Sequence, residues 1–208
     1  MIVNRMQIPP VIKNLLIING ILYLCINIFH TYSYAGFPVS TPIYDYLALH
    51  DISDDNFGVW QFITHMFIHD ADPMHIFFNM FALWMFGRQI EYRWGSKRFL
   101  SYYIFTGVGA AILHMIIAGG VGSVMYGASG AVFGILLAFG MVYPNTQILL
   151  LIPPMPIKAK YLVIGYGLLE LYLGYGSTNS GVAHFAHVGG MLFGIFVFLY
   201  WKIKNIYY

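Results

Sequence analysis

Six apolar stretches organise this chain. They fall near residues 11–31, 73–92, 98–119, 128–143, 158–173 and 183–202, each long enough, or nearly so, to cross about 30 Å of hydrocarbon. The composition agrees: 59% of the residues are hydrophobic and 9% charged, against roughly 25% charged in an ordinary soluble domain. The expected fold is therefore all-α, a polytopic membrane bundle of six transmembrane helices. Six spans and their connections use up the 208 residues, so residues 1–208 read as one domain with no separate soluble unit of ordinary size.

Charge placement orients the bundle. Threading the chain back and forth puts the N-terminus, the turn at 92–98, the loop at 144–157 and the C-terminus on one side. All ten basic residues then share that side: Arg5, Lys13, Arg88, Arg93, Lys97, Arg98, Lys158, Lys160, Lys202 and Lys204. Six of the eight acids (Asp45, Asp51, Asp54, Asp55, Asp70 and Asp72) fall in the first loop on the far side, leaving Glu91 and Glu170 elsewhere. The positive-inside rule makes both termini cytoplasmic. The run from Leu15 to about Phe29 is longer than a secretory core and lacks a small-x-small cleavage site, so it reads as an uncleaved first span. A bacterial inner membrane is the expected location. The formal charge of +2 gives no reason to expect nucleic acid, and the expected partner is the lipid bilayer. The single cysteine, Cys25, forms no intrachain disulfide and reads as a small buried apolar residue.

The first outer loop, about 32–72, is long for so small a protein, and its second half, Phe57 to Ile68, is apolar and aromatic. A dozen such residues cannot span, yet they can lie half-immersed with Trp and Phe toward the acyl chains. In the 144–157 loop, Pro144, Pro153, Pro154 and Pro156 exclude a continuous helix.

Two of the spans carry reactive side chains. Gly127-Ala128-Ser129-Gly130 sets a hydroxyl in a glycine turn at the mouth of the fourth span, where a helix N-terminus offers unpaired amides and partial positive charge. His187, in His184-Phe185-Ala186-His187-Val188-Gly189-Gly190, stands about one turn inside the sixth, a costly place for an ionisable group. Facing Ser129, its imidazole would take the hydroxyl proton and later return it to a leaving amine. The bland alternatives are a glycine-serine packing face and a polar tie between helices. Gly130 and Gly134 on the fourth span and Gly190 and Gly194 on the sixth predict close contact between these two helices.

On the second span, His75 and Asn79 are four residues apart and share one helix face, as two donors suited to a developing oxyanion or as braces for the first loop. No acid lies near His187 in sequence. Glu170, on the fifth span, reads as a buried, hydrogen-bonded structural residue in preference to an orienting group, and a Ser129–His187 dyad is the expectation. His184, nearer the interface, reads as structural or water-contacting. Gly87 to Gly95 reads as a membrane-edge anchor and turn.

With these motifs in order along nearly the whole chain, the sequence resembles the rhomboid family of intramembrane serine proteases, in its bacterial six-span form. The resemblance carried by His75-x-x-x-Asn79, Gly127-Ala128-Ser129-Gly130 and Ala186-His187-Val188-Gly189-Gly190 with Gly194 implies Ser129 as nucleophile, His187 as base, and His75, Asn79 and the Ser129 amide as oxyanion donors. It implies neither cofactor nor metal, and as partners the transmembrane segments of substrate proteins. The fifth span and the 174–182 loop would act as gate and cap. Where the family often carries Trp-Arg in the first loop, this chain has Trp60-Gln61, a departure expected to touch loop anchoring.

Three rivals bear on the same residues. A small-solute transporter predicts paired broken helices and internal symmetry, which the sequence lacks. A module that holds membrane helices without cutting them differs only in activity. A metal hydrolase is weak: His65 and His69 are four apart, but no H-E-x-x-H is present.

Overall fold

The computed structural model describes residues 7–31, 33–34, 37–38, 41–118, 120, 123–150, 154–176 and 183–204. Among these, helices occupy all six apolar stretches. The first is α1, Pro10–Thr31. After the small hairpin of β1 (Ser33–Tyr34) and β2 (Phe37–Pro38), α2 covers Thr41–Leu47 and β3 covers Leu49–His50. A short helix α3 (Gln61–Thr64) follows and runs into a 3₁₀ turn at His65–Phe67.

The second stretch is not one regular helix. It is built from α4 (Pro73–Ala82), a π-helical turn at Leu83–Gly87 and α5 (Arg88–Trp94). Asp72 caps α4 by accepting the Met74 N–H at 2.9 Å, and Pro73 occupies a position where a missing N–H does no harm. Gly95, at φ 79°, ends α5 in a conformation that disfavours side chains, and α6 (Ser96–Ala118) starts at once. The strand β4 (Val124–Met125) pairs with β3 and leads to α7 (Ser129–Val142). The proline-rich connection beyond α7 folds as a hairpin, β5 (Gln147–Leu149) against β6 (Pro156–Lys158), an arrangement that periodicity did not suggest. The last helices are α8 (Ala159–Gly176) and α9 (His184–Ile203).

Among the described residues three helices are long and apolar enough to cross a membrane: Pro10–Ile28 within α1, α6 and α9. The central α7 is shorter, at 14 residues, and nearly all of it is buried from Gly130 to Gly140. It packs against α6 and α9, so protein rather than lipid surrounds it. Gly190 is indispensable there, since a Cβ on it would collide with the Gly130 carbonyl. The other two glycines bring a third helix into the contact. Gly134 faces Thr106 on α6, and its carbonyl accepts the Tyr102 hydroxyl at 3.0 Å, while Gly194 lies between Tyr102 and Leu137. Close packing thus joins three helices rather than two.

Lipid-facing positions are apolar and exposed, as with Ile17, Ile21, Leu24 and Ile28 on α1. Cys25 belongs to that outward set and is exposed, which corrects its reading as buried. Gln61 is buried completely and staples the first loop: its side-chain amide donates to the carbonyls of Asp45 and Asn56, at 3.1 and 2.8 Å, and its oxygen takes the His50 N–H at 3.2 Å. Loop anchoring is therefore achieved by a neutral side chain. Most of the 174–182 loop expected to act as cap, together with Pro153 and Arg5, lies outside the described residues.

Candidate active site

Ser129 is the first residue of α7, and the turn before it depends on Gly127, which adopts φ 120°. That glycine is pinned to the first loop, its N–H donating to the His65 carbonyl at 2.9 Å. The residue capping α7 is Ala128, which has no side chain able to satisfy the first amides of the helix. Those amides and the helix dipole therefore favour negative charge beside the Ser129 hydroxyl.

His187 enters from α9, one turn past its start, where Gly130 and Gly190 let the two backbones touch. Its Nε2 lies 2.8 Å from Ser129 Oγ. The imidazole ring stacks on Phe133 at 4.3 Å between centroids and 6° between planes, so a residue one turn after Ser129 fixes its orientation. Phe133 was missed in the sequence; its only signal is the four-residue spacing from Ser129. Ser129 keeps partial exposure, while His187 is buried.

Glu170 reaches the same point from α8. Its Oε2 lies 2.9 Å from His187 Nδ1 and 2.7 Å from His184 Nδ1. A carboxylate oxygen facing Nδ1 favours the tautomer with its proton there, which leaves Nε2 free to accept the Ser129 hydroxyl. His184 is buried against this carboxylate, which fits the structural one of the two roles read from its position. The three side chains present ligand atoms within 4.8 Å of one another.

His75 stands on the other side of the serine. Its Nδ1 lies 3.3 Å from the Asp70 N–H and accepts from it, which places the ring proton on Nε2. A Cβ added to Gly127 would sit 3.0 Å from that Nε2 and 3.9 Å from Ser129 Oγ, so the donor points into the space beside the hydroxyl. Asn79 is buried on the same helix face, with its side-chain amide donating back to the His75 carbonyl at 2.9 Å. The structure thus brings Ser129, His187 and His75 together, with Asn79 one turn deeper and committed locally.

The outer rim is set by Asp70, whose carboxylate accepts the Tyr126 hydroxyl at 3.0 Å and the Asp72 N–H at 3.0 Å. The Asp72 N–H, with the tyrosine, holds the Asp70 carboxyl below its usual range. Burial, aided by Asp70, pushes Tyr126 up to about 12. A cavity of about 370 Å³ opens beside them, between Ile26, Asn27, Tyr44, Asp70, Ala71 and Tyr126. Under the loop, His69 is buried with neither ring nitrogen hydrogen-bonded among the described residues, and burial lowers its pKa to about 3. His65 is lowered to about 4 for the same reason, although Gln61 O lies 2.7 Å from its Nδ1. His65 and His69 point to separate surroundings and share no metal-like cluster among the described residues.

A family model for the Rhomboid domain matches residues 56–203. The chain is similar to the rhomboid protease GluP of Bacillus subtilis (strain 168), 31% identical over 137 residues that make up 66% of this chain and 25% of that one. It is also similar to the rhomboid protease GlpG of Yersinia pestis (strain Pestoides F), 26% identical over 190 residues, or 89% of this chain and 62% of that one. The chain therefore spans less than two thirds of the length of either relative. With its apolar helices, this likeness marks a multi-pass membrane protein.

Proposed function

The chain belongs to the rhomboid family, and we propose that it is an intramembrane serine endopeptidase cutting transmembrane segments of other membrane proteins near the outer face. One observation carries the reading: a serine hydroxyl at an uncapped helix start lies 2.8 Å from the nitrogen of a buried imidazole on a neighbouring apolar helix.

The chemistry follows from these positions. Ser129 Oγ attacks the scissile carbonyl carbon while its proton passes to His187 Nε2. The negative oxygen that forms is met by the Ser129 amide and His75 Nε2–H, with Asn79 joining once its side chain swings from the His75 carbonyl. Collapse of the tetrahedral centre breaks the C–N bond, and His187 gives its proton to the departing amine. Water then attacks the acyl-serine, yields a proton to His187 and restores the hydroxyl as the new carboxyl leaves. Neither metal nor cofactor has a part in these steps.

An intact helix hides its amides in hydrogen bonds, so the preferred substrates are spans weakened by Gly or Pro and cut at a small residue. In this reading the chain has six spans with both termini in the cytoplasm and resides in a cell membrane. Water reaches Ser129 from the outer face, past His75. A non-cleaving helix-binding module would not require the hydroxyl and imidazole to be hydrogen-bonded to each other.

The decisive test is cleavage of a reconstituted transmembrane substrate, together with fluorophosphonate labelling. The parent cleaves and is labelled at Ser129; Ser129→Ala does neither. Undiminished cleavage by Ser129→Ala removes the serine mechanism.

A further inference from the structure

From the geometry we infer that Glu170 is a positioning residue for the reaction, the third member of a Ser129–His187–Glu170 relay delivered by α8. This rests on the proposed serine chemistry and adds a residue that sequence spacing did not connect with His187.

Three observations converge on it. Glu170 Oε2 lies 2.9 Å from His187 Nδ1, on the opposite side of the ring from the nitrogen that meets Ser129 at 2.8 Å. A carboxylate there selects the tautomer with its proton on Nδ1, the only neutral form in which Nε2 can accept from a hydroxyl. It also faces the positive charge that the ring acquires when it takes the Ser129 proton, at a buried position where opposite charges interact more strongly than in water. His184 holds the same oxygen from the other side at 2.7 Å, so the carboxylate is itself aimed.

The place of Glu170 on its helix is equally informative. Along α8, Ala159, Leu162, Val163 and Glu170 are buried, while Leu168, Leu169, Leu171 and Tyr172 around the acid are exposed. An apolar helix would bury leucine before glutamate if packing alone decided. Instead the C-terminal half of α8 turns its one carboxylate inward, onto the two imidazoles. The relay is complete only while α8 is docked against α9.

The experiment compares Glu170→Gln, Glu170→Asp, Ser129→Ala and the parent, all full-length in the same detergent or bilayer. In Glu170→Gln, kcat should fall at least about tenfold, toward the roughly 10⁴-fold loss seen when a serine protease acid is made an amide, with KM and Tm unchanged. Glu170→Asp should recover part of the loss. Nitrogen-15 spectra of the parent need no stable variant: His187 should be protonated on Nδ1, and a proton on Nε2 instead would overturn the assignment. Parent-level kcat in Glu170→Gln, with Ser129→Ala inactive, would overturn the role of Glu170 alone. Cleavage surviving in Ser129→Ala would overturn the serine reading beneath it.

Discussion

Two glutamates are buried in this apolar protein, and they are treated in opposite ways. Glu91, at the junction of α1, α5 and α6, accepts the backbone N–H groups of Val11 and Ile12 at 3.0 and 2.8 Å and the Ser96 hydroxyl at 2.7 Å. Every donor is fixed and none is a base. The acid satisfies the orphan amides at the start of α1 and ties the first helix to the bundle. Glu170 faces two imidazoles, one of them in contact with a hydroxyl. The same side chain is thus an architectural cap in one place and, in the proposed mechanism, the carboxylate that orients the reacting imidazole in the other. What distinguishes them is whether the partners can move a proton.

The largest break in this comparison is expected at the relay. Ser129→Ala and His187→Ala should each lower cleavage by up to roughly 10⁶-fold while leaving the melting temperature where it was. If either variant melts markedly earlier, the outer cluster is holding the fold as Glu91 does.

Next comes the oxyanion side. Asn79→Ala should reduce kcat by roughly 10²-fold and spare KM, because other donors remain. A rate equal to that of the parent would leave Asn79 as a brace between turns of α4, the role its present bond to the His75 carbonyl describes.

Glu91→Gln tests the architectural member. An amide can still accept one N–H but also brings unneeded donors, so stability should fall by about 2 kcal/mol while kcat per folded molecule is retained. A fall in kcat without loss of stability would connect this junction to the chemistry and erase the contrast.

The last expected effect is local, an acid sensitivity of the outer loop. His65 and His69 have folded pKa values lowered to about 4 and about 3. Below about pH 6.5 the unfolded chain takes protons that the folded loop refuses, so stability falls as pH drops toward those values. The slope is at most about 1.4 kcal/mol per pH unit for each histidine. Hydrogen exchange between pH 7 and 5 should therefore quicken in residues 61–69 before the α1–α5 junction. Equal quickening at both ends would place the acid-labile element elsewhere.

Much of the site was legible in the sequence because its signals are local. Gly127 and Gly130 flank the serine, His187 interrupts an apolar run, and His75 and Asn79 keep helical spacing. The partners of those residues were not legible in the same way. Glu170 is 17 residues from His187 and on another helix, and Phe133 looks like any apolar residue of a buried span. Gly134 and Gly194 are packing residues as expected, and Gly194 meets α7 at Leu137, but Thr106 and Tyr102, also set against them, belong to a third helix.

Hydropathy and the spacing of glycine, serine and histidine by themselves determined a helical membrane protein with a hydroxyl and an imidazole near helix starts, because burial in lipid and helix periodicity act on neighbouring residues. Only the tertiary structure decided which acid lies against the imidazole, which nitrogen faces the serine and which glycines touch. Hydrogen bonds near 3 Å depend on how whole helices are rotated and set against one another, and a sequence records that only through the sum of its packing.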